Sequence, residues 1–523
     1  MFKNYLKIAF RNILRNKAYS AINIGGLALG LAAFWLITLY IADELSYDRF
    51  NTNAGRITRV VQHARWADNE MHTAPTSAPF APALMAEFPE IEEATRILTE
   101  GNGIITYKEK TLKVDDIIFA DDNIFKVFTL PFLFGDAASA LTTPQAIVIN
   151  ESLAIKLFGN AEKSLNQTIY FENNFPNKVT GIIKDVPQNA HLRFSAIRSL
   201  PAGFTGGWQN FNVYTYLLLK QGVDYKTLEA KLPEFAAKTI QGLMKIDDYK
   251  LELQPLTSIH LHSNLQYELG SNSSSSRVYM FMAIAALILI IAIINYINLS
   301  TARSGARVRE VGIRKVVGSG RRQLGAMFIT ESIFITFIAA CAGVLIVQTA
   351  LPFFNQLTEK QLSVWRFGQV NTTVFLVTFS LITGFVSGIY PSLFLSRFKT
   401  IPALKGQMGN LFANLLFRKS LVVFQFVITV VMITGSVVIY RQLQFAMHKD
   451  LGFNKDQVLT FHIDDGGVRN QTNALKTQLL QNPAIEAVQW QAILLATTTW
   501  VAWVIILKQS KALLQPVQPW RRS

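Results

Sequence analysis

Apolar and polar positions are arranged along this chain on two scales. Residues 18–42, 278–299, 332–351, 374–395 and 420–440 are free of charged side chains. Each reaches the roughly 20 residues an α-helix needs to cross a bilayer. The third helix is expected to begin earlier, near Met327. A sixth window, 487–507, is also uncharged, but Gln489, Gln491 and Thr497 to Thr499 interrupt it, and its apolar part, 492–507, is marginal. The first stretch is too apolar for too long to be a cleaved leader, and no small-residue cleavage site precedes Asp43. Residues 43–277 instead carry short patterns. Strands are expected at 56–63, 112–120, 146–150, 168–171, 179–183 and 214–219. Helical spacing appears at 81–88, 153–158 and 228–240. That mixed order predicts an α+β domain with its own core, and the polar run 272–276 joins it to the second span. The fold class is a membrane protein, an α-helical transmembrane bundle of five spans with the sixth left open, carrying a large extracytoplasmic α+β domain.

Composition agrees. Half the chain is hydrophobic and 16% is charged, against about 25% in soluble proteins. A single cysteine excludes a disulfide framework and cysteine-rich zinc sites. The net charge of +15 raises nucleic-acid binding, but its distribution points elsewhere. Residues 1–17 carry five basic side chains and no acid. The 300–326 loop carries seven against Glu310 alone, and 396–419 carries five with no acid. Residues 43–277 hold 22 basic and 27 acidic side chains. Short basic loops alternating with the spans mark the cytoplasmic side, so the N-terminus is expected in the cytoplasm and the 43–277 domain outside. The charge is a topology signal and implies no nucleic acid.

Candidate chemistry is sparse. His260 and His262 alternate on an expected strand, which puts both on one face, yet no third metal ligand is identifiable and they read as surface polar residues. His191 falls in a turn and reads as structural. No serine has a nucleophile-elbow setting, and the sequence has no Gly-x4-Gly-Lys-[Ser/Thr] phosphate loop. Neither catalytic residues nor a metal site are expected. If ATP is used, another chain binds it.

The 300–326 loop is the most distinctive segment. It contains Arg303, Arg307, Arg309-Glu310-Val311-Gly312-Ile313-Arg314-Lys315 and Val316-Val317-Gly318-Ser319. Arg303, Arg307 and Arg314 fall at spacings of four and seven, and Val308, Val311 and Val316 suggest an apolar stripe. Such a helix can lie on anionic headgroups or dock into a groove of a soluble partner. Glu310 and the glycines 312, 318 and 320 favour docking. This segment resembles the cytoplasmic signature of FtsX/MacB-type ABC transporter permeases. Phe328-Ile329-Thr330-Glu331-Ser332, Gly388-Ile389-Tyr390-Pro391-Ser392 and Ala403-Leu404-Lys405-Gly406 are similar to that family too. Phe119-Ala120-Asp121-Asp122-Asn123-Ile124-Phe125, Gly135-Asp136, Ala154 to Gly159 and Val179 to Pro187 resemble its MacB-like periplasmic domain.

The resemblance implies a bacterial inner-membrane permease subunit. It implies a coupling helix (Arg303, Arg307, Arg309, Glu310, Gly312, Ile313, Arg314, Lys315) that contacts a separate cytoplasmic ATPase. That ATPase would hold ATP and Mg, with no cofactor on this chain. Export of peptide, antibiotic or lipoprotein-type substrates by mechanical work at the periplasmic face is the expected function. The alternative is a non-transporting signal relay to a periplasmic partner such as a cell-wall hydrolase. Membrane lipids and a second copy, as a homodimer or a second permease, complete the expected partners. Gly26-x3-Gly30 and Gly384-x3-Gly388 allow close helix approach, within the chain or between copies. Asn295 and Asn298 are expected to hydrogen-bond neighbouring helices, Glu331 to snorkel or pair near a span end, and Cys341 to pack. The layout of residues 1–50 recurs loosely at 414–453. Residues 441–488 then read as the start of a second outer domain, with strand 457–461. The 489–523 region departs from it, as an aberrant, frameshifted or truncated tail or as the marginal sixth span.

Overall fold

The computed structural model describes residues 2–66, 69–172, 175–201, 203–241, 248–302, 304–396, 412–449, 458–463, 468, 471–495 and 498–507. They form two units, Met1–Leu45 with Ser275–Lys449, and Ser46–Ser274 with Asp450–Ser523. Helix α1 (Phe2–Arg15) runs into α2 (Lys17–Glu44) with Asn16 alone between them.

The second unit begins with β1 (Ile57–Trp66), β2 (Asn69–Thr73), β3 (Thr76–Ser77), α3 (Phe80–Glu87), β4 (Ile91–Tyr107), β5 (Lys110–Ala120), α4 (Ile124–Val127) and β6 (Phe132–Gly135). It continues through β7 (Ala146–Asn150), α5 (Glu151–Phe158), β8 (Thr168–Phe171), β9 (Phe175–Ile183), β10 (Ala196–Ser199) and β11 (Phe211–Leu219). Then come α6 (Tyr225–Glu229), α7 (Leu232–Ala236), β12 (Asp248–Pro255) and α8 (Ile259–His262). The strands form one mixed sheet in the order β12-β1-β11-β4-β5-β10-β7-β9-β6. The β5–β10 and β7–β9 pairs are parallel.

This sheet is covered on both faces, which explains its near-continuous apolar strands. In β11, Tyr216 and Leu218 join Ile97, Ile118 and Val148 in one core. Leu217 and Leu219 turn the other way, onto Val60, Leu84 and Leu251. In β7, Ile147 and Ile149 meet Leu153 and Leu157 of α5. Helix α5 is capped as its sequence suggests. Asn150 Oδ1 accepts the Leu153 N–H at 2.9 Å, and Gly159 ends the helix in a left-handed conformation. The expected 228–240 helix is interrupted. Pro233 lies in the first turn of α7, and a residue without an N–H starts a new helix more readily than it continues one.

The first unit resumes with α9 (Ser275–Ala302), α10 (Ser304–Val316), α11 (Arg321–Thr358), α12 (Gln369–Ser396) and α13 (Phe412–His448). With α2, the helices α9, α11, α12 and α13 make five that are long and apolar enough to cross a membrane. Leu27, Leu31, Ala292, Tyr296, Ile335 and Ala339 form one core of the bundle. Trp35, Leu39, Val347 and Leu351 form the next. Small residues set the approach. A Cβ on Gly30 would stand 2.6 Å from Ala292 Cβ, and one on Gly26 would stand 3.1 Å from Asn295 Nδ2. A Cβ on Gly384 would stand 2.6 Å from Ile333 Cα, and one on Gly388 2.9 Å from Ser332 Cβ. These glycines therefore serve contacts inside the chain, α2 to α9 and α11 to α12.

Two expectations for this bundle need correction. Glu331 is 5% exposed, so of its two expected behaviours snorkelling to the surface is the one that burial contradicts. Cys341 is exposed, because Ala339, Ala340 and Gly343 take the inward positions of that turn. Helix α13 leaves Val423, Phe426, Val430 and Ile433 exposed, with Ile428 buried, as a helix facing hydrocarbon can.

The second unit also contains β13 (Val458–His462), α14 (Thr472–Leu480), β14 (Ile485–Leu495) and β15 (Thr498–Leu507), with the sheet order β13-β15-β14. The described residues of the 487–507 window thus lie in two paired antiparallel strands and not in a sixth spanning helix. Its β-branched and aromatic residues, Thr498, Thr499, Trp500, Val501, Trp503, Val504, Ile505 and Ile506, favour strand. An uncharged run of this length does not by itself tell a strand pair from a helix.

Candidate functional site

Helix α10 links two spans at the bundle end that α1 also shares. Arg303 lies outside the described residues, and Arg307 and Arg309 lie on α10 with side chains outside the description. The following turn is well defined. Val311 is 1% exposed and packs with Leu324, Met327 and Phe328 of α11 and with Tyr5 and Ile8 of α1. Gly312 is buried beside it. Val316 lies five residues on, about 140° around the helix at roughly 100° per residue, so the expected stripe of 308, 311 and 316 is split. Val311 faces inward. Ile313, Val316 and Val317 face outward, exposed by 54%, 64% and 81%.

The charged residues brace the helix. Arg314 pairs with Glu310 at 2.8 Å, one turn earlier, and its guanidinium also meets Met327 Sδ. Lys315 Nζ donates to the Ser396 carbonyl at the end of α12 at 2.7 Å. Burial, then the nearby Arg321 charge, lowers the Lys315 ammonium below its ordinary pKa. Gly318 takes a φ of +101°, which lets the chain reverse so that the Ser319 N–H reaches the Arg314 carbonyl at 2.9 Å. Gln323 Oε1 then accepts the Gly320 N–H at 3.2 Å, at the start of α11. The result is a short helix packed onto α1, α11 and α12, with three apolar side chains at its end pointing away. Sequence reasoning placed Ile313, Arg314 and Lys315 together. It did not separate bracing cations from the exposed apolar face, and it missed the α1 contact, for which the apolar spacing of Tyr5, Ile8 and Ala9 is the signal.

The described residues of the large sheet domain hold several buried polar networks. Among the described residues no three acidic, imidazole or thiol side chains converge as a metal site. His260 and His262 are on the short helix α8, not a strand. Residues two apart on a helix point to different sides, and accordingly His260 is buried, stacked on Tyr47 with ring centroids 3.3 Å apart, while His262 is exposed. His191 is buried with Asp48 at 3.0 Å and the Tyr216 hydroxyl at 2.7 Å. Asp121 of the Phe119 to Phe125 motif receives two guanidinium hydrogen bonds from Arg96, at 2.9 and 2.7 Å. The pair lines a cleft of about 460 Å³ with Pro79, Pro144 and Phe204.

Residues 20–235 match the MacB-like periplasmic core domain, and residues 282–400 match the FtsX-like permease C-terminal domain. The chain belongs to the FtsX/MacB-type ABC transporter permeases. Among its relatives is the uncharacterized ABC transporter permease YvrN of Bacillus subtilis (strain 168), 23% identical, with 77% of this chain and 99% of that one aligned. Macrolide export ATP-binding/permease proteins MacB are similar as well. That of Pasteurella multocida (strain Pm70) is 22% identical, over 51% of this chain and 39% of its own length. The permease thus spans nearly the whole of YvrN but well under half of that MacB protein. A solved domain of a Porphyromonas gingivalis permease protein covers 39% of the chain and 91% of its own length, at 23% identity and a TM-score of 0.36. The permease is a multi-pass membrane protein with a large extracytoplasmic domain, and its family implies an ATPase partner.

Proposed function

We propose that this permease is the membrane subunit of an ABC-type exporter, in which α10 seats on a separate cytoplasmic ATPase and transmits its ATP-driven motion to the extracytoplasmic domain. The observation that carries this reading is the exposed trio Ile313, Val316 and Val317 at the end of a helix otherwise braced on three sides. Three adjoining aliphatic side chains in water are costly, and a helix face inserted in a partner's apolar groove removes that cost. The basic loops 1–17, 300–326 and 396–419 support a cytoplasmic N-terminus.

Mechanical work at the outer face fits better than a polar conduit through the spans. The spanning helices present few ionisable groups away from their ends, whereas polar pathways through a membrane are usually lined by them. Peptides, antibiotics and lipoproteins are the substrate classes that the family suggests, and ATP with Mg would sit on the partner. A nucleotide-dependent distance change between two labels in the extracytoplasmic domain, seen only when the ATPase is present, is the expected result. Identical distances with and without ATP would reject the transmission role.

A further inference from the structure

We infer that the exposed face of α1 is a binding surface for anionic phospholipid headgroups, and that it holds the α10 platform against the bilayer. The inference uses the position of α2 as a span and is independent of the ATPase reading.

Helix α1 has two distinct sides. Tyr5 and Ile8 pack with Val311, Leu324, Met327 and Phe328, and Ala9 is 1% exposed. Lys7, Phe10, Arg11, Leu14 and Arg15 are all exposed. They recur at intervals of three, one, three and one, which places them on a single face of the helix. Phe10 and Leu14 are each 53% exposed. Helix α1 contains no acidic residue, and Lys7, Arg11 and Arg15 make no ion pair among the described residues.

Three unpaired cations interleaved with two large apolar side chains suit one kind of surface. An acidic protein would satisfy the cations yet offers no general home for Phe10 and Leu14. A bilayer of anionic lipid does both, with headgroup charge for the cations and the acyl boundary just beneath for the apolar rings and branches. The face is also tethered there, since only Asn16 separates α1 from the spanning helix α2. Because the opposite side of α1 grips α10 and α11, lipid charge would bear on how firmly the platform is held.

The test uses the full chain in nanodiscs of phosphatidylcholine, with or without about one-third phosphatidylglycerol. An environment-sensitive fluorophore is attached at Leu14→Cys in a Cys341→Ser background. Anionic lipid should shift its emission to the blue and cut iodide quenching at least about three-fold, less so at high salt. Lys7→Gln, Arg11→Gln and Arg15→Gln together should abolish that response. The charge-conserving set Lys7→Arg, Arg11→Lys and Arg15→Lys should keep it, which separates charge from folding. Equal emission in the two membranes overturns the inference, as does a response that survives neutralisation. Protection that appears only on adding an ATPase subunit also overturns it, by making the face a protein contact.

Discussion

His191 Nδ1 stands 3.0 Å from Asp48 Oδ1, and both side chains are sealed from solvent, at 3% and 2% exposed. The His191 backbone N–H also reaches Asp48 Oδ1 at 3.1 Å, and Nε2 meets the Tyr216 hydroxyl at 2.7 Å. Asp48 follows the last residue of α2, Glu44, by four positions, so the start of the extracytoplasmic domain is fastened to strand β11. Replacing His191 with Ala leaves a carboxylate and a hydroxyl buried without this partner. Breaking a buried polar pair of this kind costs about 3 kcal/mol. The thermal midpoint of the domain's unfolding should fall by several degrees, whereas an exposed control, Lys184→Ala, should leave it in place.

A second buried pair predicts the acid limit of the same domain. Burial opposes ionisation of Glu268, but Arg59, hydrogen-bonded at 2.6 and 2.9 Å, and the Ser263 hydroxyl together hold its pKa below the ordinary carboxylate value. A carboxyl group depressed on folding adds stability that is complete above its unfolded pKa, near 4.3. That stability is lost as pH falls through the folded value. Chemical denaturation should therefore show stability flat near neutrality and falling below about pH 4. Glu268→Gln should weaken the domain at neutral pH and flatten the acid slope.

Small residues in the spans predict a sharp contrast. A Cβ at Gly30 would meet Ala292 Cβ at 2.6 Å, while one at Gly435 would have nothing within 4 Å. Gly30→Val should lower the stability of the detergent-solubilised permease by about 1–3 kcal/mol through forced separation of α2 and α9. Gly435→Ala should be neutral or slightly stabilising, since Ala favours helix over Gly.

Charge at the other end of α2 predicts a third loss. Lys360 Nζ reaches Asp43 at 2.5 Å and Glu44 at 2.7 Å, and Arg366 also pairs with Asp43. All four side chains are largely buried. Lys360→Met removes the cation and leaves Glu44 without it, which should cost about 3 kcal/mol. The double change with Glu44→Gln should recover part of the loss in the same melting experiment.

What could be read from the sequence follows the range of the interactions. Spans and the two-sided burial of β7 and β11 are written in local runs of Val, Ile and Leu, and the cap at Asn150 and the stop at Gly159 are local too. The 487–507 window stayed open between a marginal span and another structure because hydropathy without period fits a strand pair as well as a helix. His260 and His262 were misplaced because a four-residue helix has too few positions to show its period. On α10 the residue types were visible, but their partners were not. Lys315 meets the Ser396 carbonyl and Val311 meets Tyr5, contacts across 81 and 306 positions. Only the assembled bundle distinguishes the cations that brace α10 from the apolar side chains left exposed.

Docking through that apolar face is therefore what most directly tests the functional account. The measurement is co-purification of the permease with its ATPase subunit, comparing the native chain with the double substitution Ile313→Asp and Val317→Asp. Both positions are exposed, so the thermal midpoint of the permease itself should hold. Burying two carboxylates against an apolar groove should reduce ATPase recovery at least about ten-fold. Undiminished recovery with an unchanged midpoint would contradict the assignment of α10 as the docking helix.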